Sequence, residues 1–231
     1  MEFVFEPPPP ASVAVRDQQA RFPVRRIYCV GSNYADHARE MGRDPQREPP
    51  FFFSKPADAV IDDGAEIPYP AATKNFHFEG ELVVAIGLAG HRIRQDQALD
   101  HVWGYAAGND LTRRDLQQLA KDTARPWDMS KGFDQSAAIG PIAPVSEIGH
   151  VTGGAIRTQV NAIPRQQSDL DQMIWPVPDI IVFLSNLVSL APGDLIMTGT
   201  PDGVGPLEPG DVVSVAIDGI GSVTTKIAPM R

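Results

Sequence analysis

The fold is decided by the stretch His77-Phe78-Glu79-Gly80-Glu81-Leu82-Val83-Val84-Ala85-Ile86-Gly87. Residues 82–86 form a continuous apolar run, which is typical of a buried strand. Side chains two positions apart in a strand point to the same face, so Glu79 and Glu81 are predicted to lie side by side. Two carboxylates so close repel each other, and a shared proton, a basic neighbour or a cation must offset that repulsion. A divalent cation held by oxygen ligands is the simplest solution.

A third acid, Asp110, follows the apolar stretch 102–107 and completes an E-x-E…D set of oxygen donors. Each member also has a plainer interpretation. Glu79 and Glu81 could be a solvated charge pair on an edge strand, and Asp110 could cap a helix that begins at Thr112. From these residues alone, metal binding and the plainer roles both stay open.

The rest of the chain predicts short strands joined by turns, in keeping with its 22 prolines and 20 glycines. Residues 1–24, with prolines at positions 7–10, are predicted to be an extended arm, and residues 25–231 a single domain. Strands are predicted at 25–30, 51–53, 79–86, 102–109, 155–160, 194–198, 212–217 and 222–227. Helices are predicted at 33–41, 112–122 and 178–188.

Composition argues against several classes of partner. The 231-residue chain has a net charge of −9 and no basic run, so we expect neither nucleic-acid nor membrane binding. Cys29 is the single cysteine, which we expect to be a buried, inert thiol. Neither a signal peptide nor an apolar run near the roughly 20 residues of a membrane span is evident, so we expect a cytoplasmic protein.

Common catalytic motifs are missing from the sequence. It has no G-x-S-x-G elbow, no H-E-x-x-H helix and no glycine-rich phosphate loop ahead of a helix. The usual serine-hydrolase, zinc-peptidase and nucleotide-binding interpretations therefore lack support.

Three further features could take part in chemistry. His37 and Glu40, three residues apart on a predicted helix, could form a water-activating pair, although a surface pair is the commoner case. Lys131, beside Gly132 and Phe133, could stabilise an anionic intermediate or could be an ordinary solvated lysine. The glycine-rich segment 198–205 could hold a carboxylate or simply form a tight turn.

Taken in order, several segments resemble the fumarylacetoacetate hydrolase family. They extend over residues 25–230, and the ordered set is highly specific although each segment alone is weak. The matching segments are Tyr28-Cys29-Val30-Gly31-Ser32-Asn33-Tyr34-Ala35-Asp36-His37, Phe53-Ser54-Lys55-Pro56, Glu79-Gly80-Glu81-Leu82, Asn109-Asp110-Leu111-Thr112-Arg113-Arg114-Asp115, Lys131-Gly132-Phe133-Asp134 and Thr198-Gly199-Thr200-Pro201.

The resemblance implies an α+β, β-rich fold with a rolled mixed β-sheet and a few short helices, usually assembled as a homodimer. It implies a Mg²⁺ or Mn²⁺ ion held by the residues that match its ligands, Glu79, Glu81 and Asp110. It implies a water-activating dyad at His37 and Glu40 on a segment that closes over the substrate, and an enolate-stabilising lysine at Lys131. It implies substrate contacts by Arg114, Gln117 and Thr200. One departure is Ser32, where many members have arginine.

What the resemblance implies about chemistry is hydrolysis of a C–C bond in a small keto acid, most closely an acylpyruvate such as fumarylpyruvate. Two other reactions at the same site remain alternatives: decarboxylation of oxaloacetate, and isomerisation or decarboxylation of homoprotocatechuate-pathway intermediates. A distant alternative is a metal-stabilised binding protein without turnover.

Overall fold

The computed structural model describes residues 2–40 and 49–230, apart from the side chains of Ala38 and Glu40. Strands dominate this part of the chain. They are β1 (Ser12–Ala14), β2 (Arg21–Pro23), β3 (Arg26–Gly31), β4 (Phe51–Lys55), β5 (Val60–Ile61), β6 (Ala65–Pro68), β7 (Phe76–Phe78), β8 (Gly80–Ile86), β9 (Val102–Asp110), β10 (Thr112–Arg113), β11 (Ala137–Ile139), β12 (Ala143–Pro144), β13 (Ala155–Val160), β14 (Ile163–Asp169), β15 (Asp194–Met197), β16 (Gly205–Pro206), β17 (Val212–Ile217) and β18 (Gly221–Ala228).

The helices are short. They are α1 (Ala35–Glu40), α2 (Arg114–Asp122), α3 (Asp128–Lys131), α4 (Val145–Ile148) and α5 (Val177–Leu187), with 3-10 turns at Ala57–Ala59, Gln95–His101 and Leu170–Gln172. No helix in the described ranges is long and apolar enough to cross a membrane.

The largest sheet is mixed, with the strand order β4-β3-β15-β8-β9-β11-β5, and β12 pairs with β9 at its side. Strand β15 runs parallel to β3 and β11 runs parallel to β5, while the other pairs are antiparallel. A second sheet has the order β14-β13-β17-β18-β6, and three short strands form a third, β10-β7-β16. The β-rich fold with a curled mixed sheet and few short helices is therefore confirmed.

Strand β8 is buried along its whole length because both of its faces are covered. Leu82, Val84 and Ile86 belong to a core cluster shared with β17 and α5, whereas Val83 and Ala85 belong to the cluster on the other face. Alternate side chains thus enter different cores, which explains why the sequence of β8 is continuously apolar rather than alternating.

The second core also receives the start of the chain. Strands β1 and β2 pair as a hairpin, and Val13 and Phe22 are buried in the cluster that contains Val83. Arg21 at the hairpin edge forms an ion pair with Asp62 at 2.7 Å. This part of the predicted arm therefore packs on the body of the same chain.

Candidate metal and catalytic site

Three buried carboxylates meet where β8 and β9 pair. Glu79 directly precedes β8, Glu81 lies within it, and Asp110 ends β9. The register sets Gly80 opposite Asn109, and the Asp110 amide donates to the Glu79 carbonyl at 2.8 Å. One carboxylate oxygen from each acid lies within 4.8 Å of the other two. The fold thus brings together the E-x-E…D set that the sequence suggests.

The pKa values of Glu81 and Glu79 are shifted in opposite directions. Burial raises the pKa of Glu81 well above its ordinary value, and the like charges of Asp110 and Glu79 raise it further. Burial also acts to raise the pKa of Glu79, but Lys131 and Arg114 outweigh it and hold that pKa well below the usual range. Repulsion within the triad therefore raises the pKa of Glu81, whereas the two cations keep that of Glu79 low.

Two cations lie against Glu79. Lys131 Nζ donates to Glu79 Oε2 at 2.6 Å and to Asp110 Oδ2 at 2.8 Å. Arg114 Nη2 donates to Glu79 Oε1 at 2.5 Å. Lys131 comes from α3 and Arg114 begins α2, so both helices direct a positive charge to the strand pair. Burial lowers the pKa of Lys131, yet the charges of Asp110 and Glu79 raise it above its ordinary value overall.

A buried lysine absent from the predicted site residues, Lys55, lies on the other side of Asp110. Its Nζ is 2.7 Å from Asp110 Oδ1, and it donates hydrogen bonds to the carbonyls of Leu111, at 3.2 Å, and Lys131. Asp110 Oδ1 thus lies in charge contact with this ammonium but has no hydrogen-bond donor in the described part of the chain. Lys55 lies in the segment 53–56 that resembles the family, but lysines are mostly exposed, so the residue type alone does not predict this buried contact.

The donor set fits a hard divalent cation. It consists of three carboxylates, one of which, Asp110, has a buried oxygen with no hydrogen bond in the described part of the chain. Mg²⁺ and Mn²⁺ prefer oxygen ligands of this kind. A bound cation would also relieve the repulsion at Glu81.

Neighbouring amides hold the segment with Glu79 and Glu81 in place. Asn109 Oδ1 accepts from the Glu79 amide at 3.0 Å, and the Gly199 amide donates to Glu81 Oε2 at 2.8 Å. Gln166, a buried residue of β14, accepts from the Gly80 amide at 3.0 Å through Oε1. Gln166 was not among the predicted residues, since a single glutamine in a polar strand gives no signal in a lone sequence.

The predicted substrate-contact residues line one cavity together with Glu79 and Glu81. Arg114 Nη1 donates to Gln117 Oε1 at 2.6 Å, one turn along α2. The Thr200 hydroxyl donates to the Gly80 carbonyl at 2.8 Å and accepts from Gln166 Nε2 at 2.8 Å. The side chains of Arg114, Gln117 and Thr200 are therefore already ordered by protein contacts in the cavity wall.

His37 also lines this cavity and is 6% exposed. Its helix follows Asn33, whose amide donates to the carbonyls of Trp175 at 2.9 Å and Thr198 at 2.8 Å. Asn33 thus ties the start of α1 to the end of β15. The side chain of Glu40 lies outside the described part of the chain, as do residues 41–48 of the predicted closing segment.

His77 forms a hydrogen bond with the Arg114 side chain. Burial and the Arg114 charge lower the pKa of His77 to about 4, so the imidazole is neutral near pH 7. Its Nδ1 accepts from Arg114 Nε at 3.4 Å, and its Nε2 pairs with Asn75 Oδ1 at 2.8 Å. His77 therefore orients the arginine that contacts Glu79.

Comparison with known proteins gives a consistent result. The family model described as fumarylacetoacetate (FAA) hydrolase C-terminal matches residues 26–228. A fumarylpyruvate hydrolase from Ralstonia sp is 43% identical over 191 residues, which is 82% of this chain and 99% of that protein. A crystal structure of fumarylpyruvate hydrolase from Pseudomonas aeruginosa in complex with Mn²⁺ and pyruvate is 51% identical, with a TM-score of 0.97, and covers 99% of this chain and 100% of that one. A mitochondrial oxaloacetate decarboxylase from Dictyostelium discoideum is 39% identical over 197 residues, or 85% of this chain and 90% of that protein.

Proposed function

The chain belongs to the fumarylacetoacetate hydrolase family, and on that premise we propose that it is a metal-dependent hydrolase that cleaves a C–C bond of an acylpyruvate. The substrate we propose is fumarylpyruvate, and the products are fumarate and pyruvate. The relatives from Ralstonia and Pseudomonas, both named fumarylpyruvate hydrolases, support this choice over nearly their full lengths.

One observation carries the proposal: two buried carboxylates, two cations and His37 line the same cavity, and the third carboxylate, Asp110, is hydrogen-bonded to one of those cations. Lys131 and Arg114 are hydrogen-bonded to the triad at 2.5–2.8 Å, and all of these side chains except that of Asp110 line the cavity wall. Such a cavity suits a small anionic substrate whose reaction develops further negative charge.

We assign Mg²⁺ or Mn²⁺ to Glu79, Glu81 and Asp110. When bound, the ion supplies positive charge that polarises the oxygens of the keto acid. In the Pseudomonas relative, the complex contains Mn²⁺ and pyruvate.

The remaining chemistry belongs to side chains of this chain. His37, oriented by Glu40, removes a proton from water, and the oxygen of that water bonds to the distal ketone carbon. The bond between this carbon and the pyruvate methylene then breaks, and its electron pair remains on the pyruvate portion as an enolate. Lys131 stabilises the enolate charge until the methylene carbon takes up the proton that His37 removed from water.

Three residues are assigned to substrate binding. Arg114, Gln117 and Thr200 contact the carboxylate and keto oxygens of the substrate. Because their side chains are fixed by hydrogen bonds to Glu79, to one another and to the backbone of Gly80, little conformational freedom is lost on binding.

The proposal also includes a pathway, a cellular compartment and an oligomeric state. Hydrolysis of fumarylpyruvate belongs to aromatic catabolism of the gentisate type, which we place in the cytoplasm, with a homodimer as the working unit. Light scattering of the purified protein at several concentrations measures the mass directly, and a monomer throughout would overturn the dimer.

A second candidate function is decarboxylation of oxaloacetate, which the Dictyostelium relative favours. The two reactions differ in their need for water. Decarboxylation requires no water nucleophile, so a His37→Ala variant should retain most decarboxylase activity and lose nearly all hydrolase activity.

A steady-state assay tests the proposal. Purified protein is given Mn²⁺ or Mg²⁺ with fumarylpyruvate, acetylpyruvate or oxaloacetate, and loss of the enol absorbance is followed for the two diketo acids. We expect metal-dependent cleavage of fumarylpyruvate that falls at least about 100-fold in His37→Ala, while the exposed control His91→Ala stays at the unmodified level. Cleavage of neither diketo acid, with active decarboxylation of oxaloacetate, would replace the hydrolase by the second candidate.

A further inference from the structure

The helix α2 presents three side chains to the cavity at helical spacing. Arg114, Gln117 and Lys121 are separated by three and four residues, which places them on one face of the helix, and all three line the cavity. Arg114 lies at the end of the cavity next to the triad, where it contacts Glu79. Lys121 is seven residues further on, about 10 Å along the helix axis at about 1.5 Å per residue.

Aromatic rings connect the two ends of this cavity. Lys131 Nζ, at the triad, lies 5.2 Å from the centre of the Phe53 ring. The Phe53 ring is 5.5 Å from that of Trp127, and Lys121 Nζ lies 5.2 Å from the centre of Trp127. The cavity therefore extends from the carboxylate triad, past two aromatic walls, to an ammonium group at its outer end.

Burial changes along the same path. Arg114, Gln117 and Lys131 are buried, whereas Lys121 and Trp127 are half-buried. Lys121 is partly solvated at this end, so a ligand carboxylate can reach it at a lower desolvation cost than it could reach a fully buried ion. Its contact with the ligand is also less screened than one on an open surface.

We infer that Lys121 is a specificity-determining residue that binds a carboxylate at the distal end of the acyl chain. The inference rests on the proposed acylpyruvate chemistry at the triad and adds which residue recognises the distal carboxylate of the acyl group. An acyl group that is flat, conjugated and ends in a carboxylate matches both the Phe53 and Trp127 walls and the ammonium beyond them. An acyl group that ends in a methyl can contact the Phe53 and Trp127 rings but cannot form an ion pair with the ammonium.

Two substrates isolate this contact because they share the pyruvate head. Fumarylpyruvate has a distal carboxylate, and acetylpyruvate has a methyl group in its place. We expect the unmodified enzyme to prefer fumarylpyruvate, and we expect Lys121→Met to lower kcat/KM for fumarylpyruvate by roughly 10-fold, as for loss of one charge-assisted hydrogen bond. For acetylpyruvate, kcat/KM should stay within roughly 2-fold, as for an ordinary surface substitution.

Two variants act as controls. Lys121→Arg keeps a cation at the same place and should retain most of the preference. Lys226→Met removes an equal charge from an exposed ion pair with Glu66 on the second sheet and should leave both substrates unaffected. A loss of preference in Lys226→Met equal to that in Lys121→Met would mean that net charge, and not a local contact, selects the substrate, which overturns the inference.

A binding measurement separates this inference from the hydrolase proposal. Calorimetry with Mn²⁺-loaded protein in the His37→Ala background measures Kd for both diketo acids, with and without Lys121→Met. If the unmodified enzyme hydrolyses neither diketo acid, but fumarylpyruvate binds more tightly than acetylpyruvate and Lys121→Met cancels the difference, the hydrolase proposal fails and the inference stands. If the preference is absent, or if it survives Lys121→Met, the inference is wrong whatever the turnover.

Discussion

Lys55 Nζ lies 2.7 Å from Asp110 Oδ1, and neither side chain has any exposed area. The same ammonium donates to the carbonyls of Leu111 and Lys131. Lys55 thus balances the charge of one member of the triad and ties together two segments, one beside Asp110 and one at the end of α3. Its place in edge strand β4 makes that strand part of the site.

We predict that Lys55→Met destabilises the metal-free protein by about 3 kcal/mol, since it leaves a buried carboxylate without one of its cations. With saturating Mn²⁺ the loss should be smaller, because the ion restores positive charge beside Asp110. Urea unfolding with and without Mn²⁺ measures both values. The increase in unfolding free energy caused by Mn²⁺ should therefore be larger in the variant than in the unmodified protein.

The matched control for this prediction is Lys226→Met, whose ion pair with Glu66 is about half exposed and should contribute no more than about 1 kcal/mol. If Mn²⁺ stabilises Lys55→Met less than the unmodified protein, then Lys55 shapes the metal site more than it compensates charge, and our account of it is wrong.

Gln166 fixes the backbone between Glu79 and Glu81. Its Oε1 accepts from the Gly80 amide at 3.0 Å, and its Nε2 donates to Thr200 Oγ1 and to the Pro201 carbonyl, each at 2.8 Å. We predict that Gln166→Leu lowers the free energy of unfolding by about 3 kcal/mol, because buried amide and carbonyl groups lose their partners. Mn²⁺ affinity, measured by calorimetry, should fall as well, since Gly80 lies between Glu79 and Glu81.

The neighbour Gln167 provides a control on the same strand. It is exposed, so Gln167→Leu should change stability by no more than about 0.5 kcal/mol and leave Mn²⁺ affinity unaltered. An unaltered Mn²⁺ affinity in Gln166→Leu, despite lost stability, would restrict Gln166 to a purely structural role.

Sequence patterns were sufficient for strands with a clear apolar pattern, which is a continuous run in β8 and an alternating one in β17. Strand β8 and strand β17 appear at the predicted positions, within one residue, because their side chains enter a core. Strand β14 was missed, since its sequence, Ile163-Pro164-Arg165-Gln166-Gln167-Ser168-Asp169, is polar and its extended form depends on pairing with β13. The helix predicted from Thr112 begins at Arg114, because Thr112 and Arg113 pair with β7 instead.

The site shows the same division. The spacing of Glu79 and Glu81 suggested a shared face, and the fold adds Asp110 to it. Lys55 lies in a segment that resembles the family, but neither its ion pair with Asp110, 55 residues away in sequence, nor the contact of Gln166 with Gly80, 86 residues away, could be predicted. Local spacing holds no information on such contacts.

Asp115 gives the stability of the protein a defined pH dependence. Burial acts to raise its pKa, but hydrogen bonds from the Lys74 amide, the Thr73 hydroxyl and the Leu116 amide outweigh burial and lower the pKa overall. The native state therefore binds this proton more weakly than the unfolded state, so the contribution is complete above the unfolded pKa of about 3.9 and is lost as the pH falls through the native value.

We predict that Asp115→Asn lowers the free energy of unfolding by about 1 kcal/mol at pH 7, as for loss of a helix-terminal acceptor. The difference from the unmodified protein should shrink as the pH is lowered below the native pKa. Urea unfolding at several pH values measures it, with Asp58→Asn, at an exposed position, as the control for charge. If the difference in unfolding free energy stays constant down to acid pH, the effect comes from altered packing or hydrogen-bond geometry and not from the carboxylate charge.

Gly199 supplies the amide that binds Glu81, and its backbone requires glycine for two separate reasons. Its φ of +97° is rare for other residues, and a Cβ there would lie 2.8 Å from the Cβ of Asn33. Gly210 has a φ of +100°, and a Cβ there would have nothing within 4 Å, so a substitution at Gly210 measures the backbone strain alone.

We predict that Gly210→Ala costs about 1 kcal/mol from backbone strain. Gly199→Ala should cost about 2 kcal/mol more, because Asn33 is held by its hydrogen bonds and has no room to move. Thermal unfolding of the two variants measures this difference, and Mn²⁺ calorimetry should show weakened binding in Gly199→Ala alone. Equal costs for the two substitutions would mean that α1 shifts freely to accept the methyl group, and that Asn33 does not anchor it.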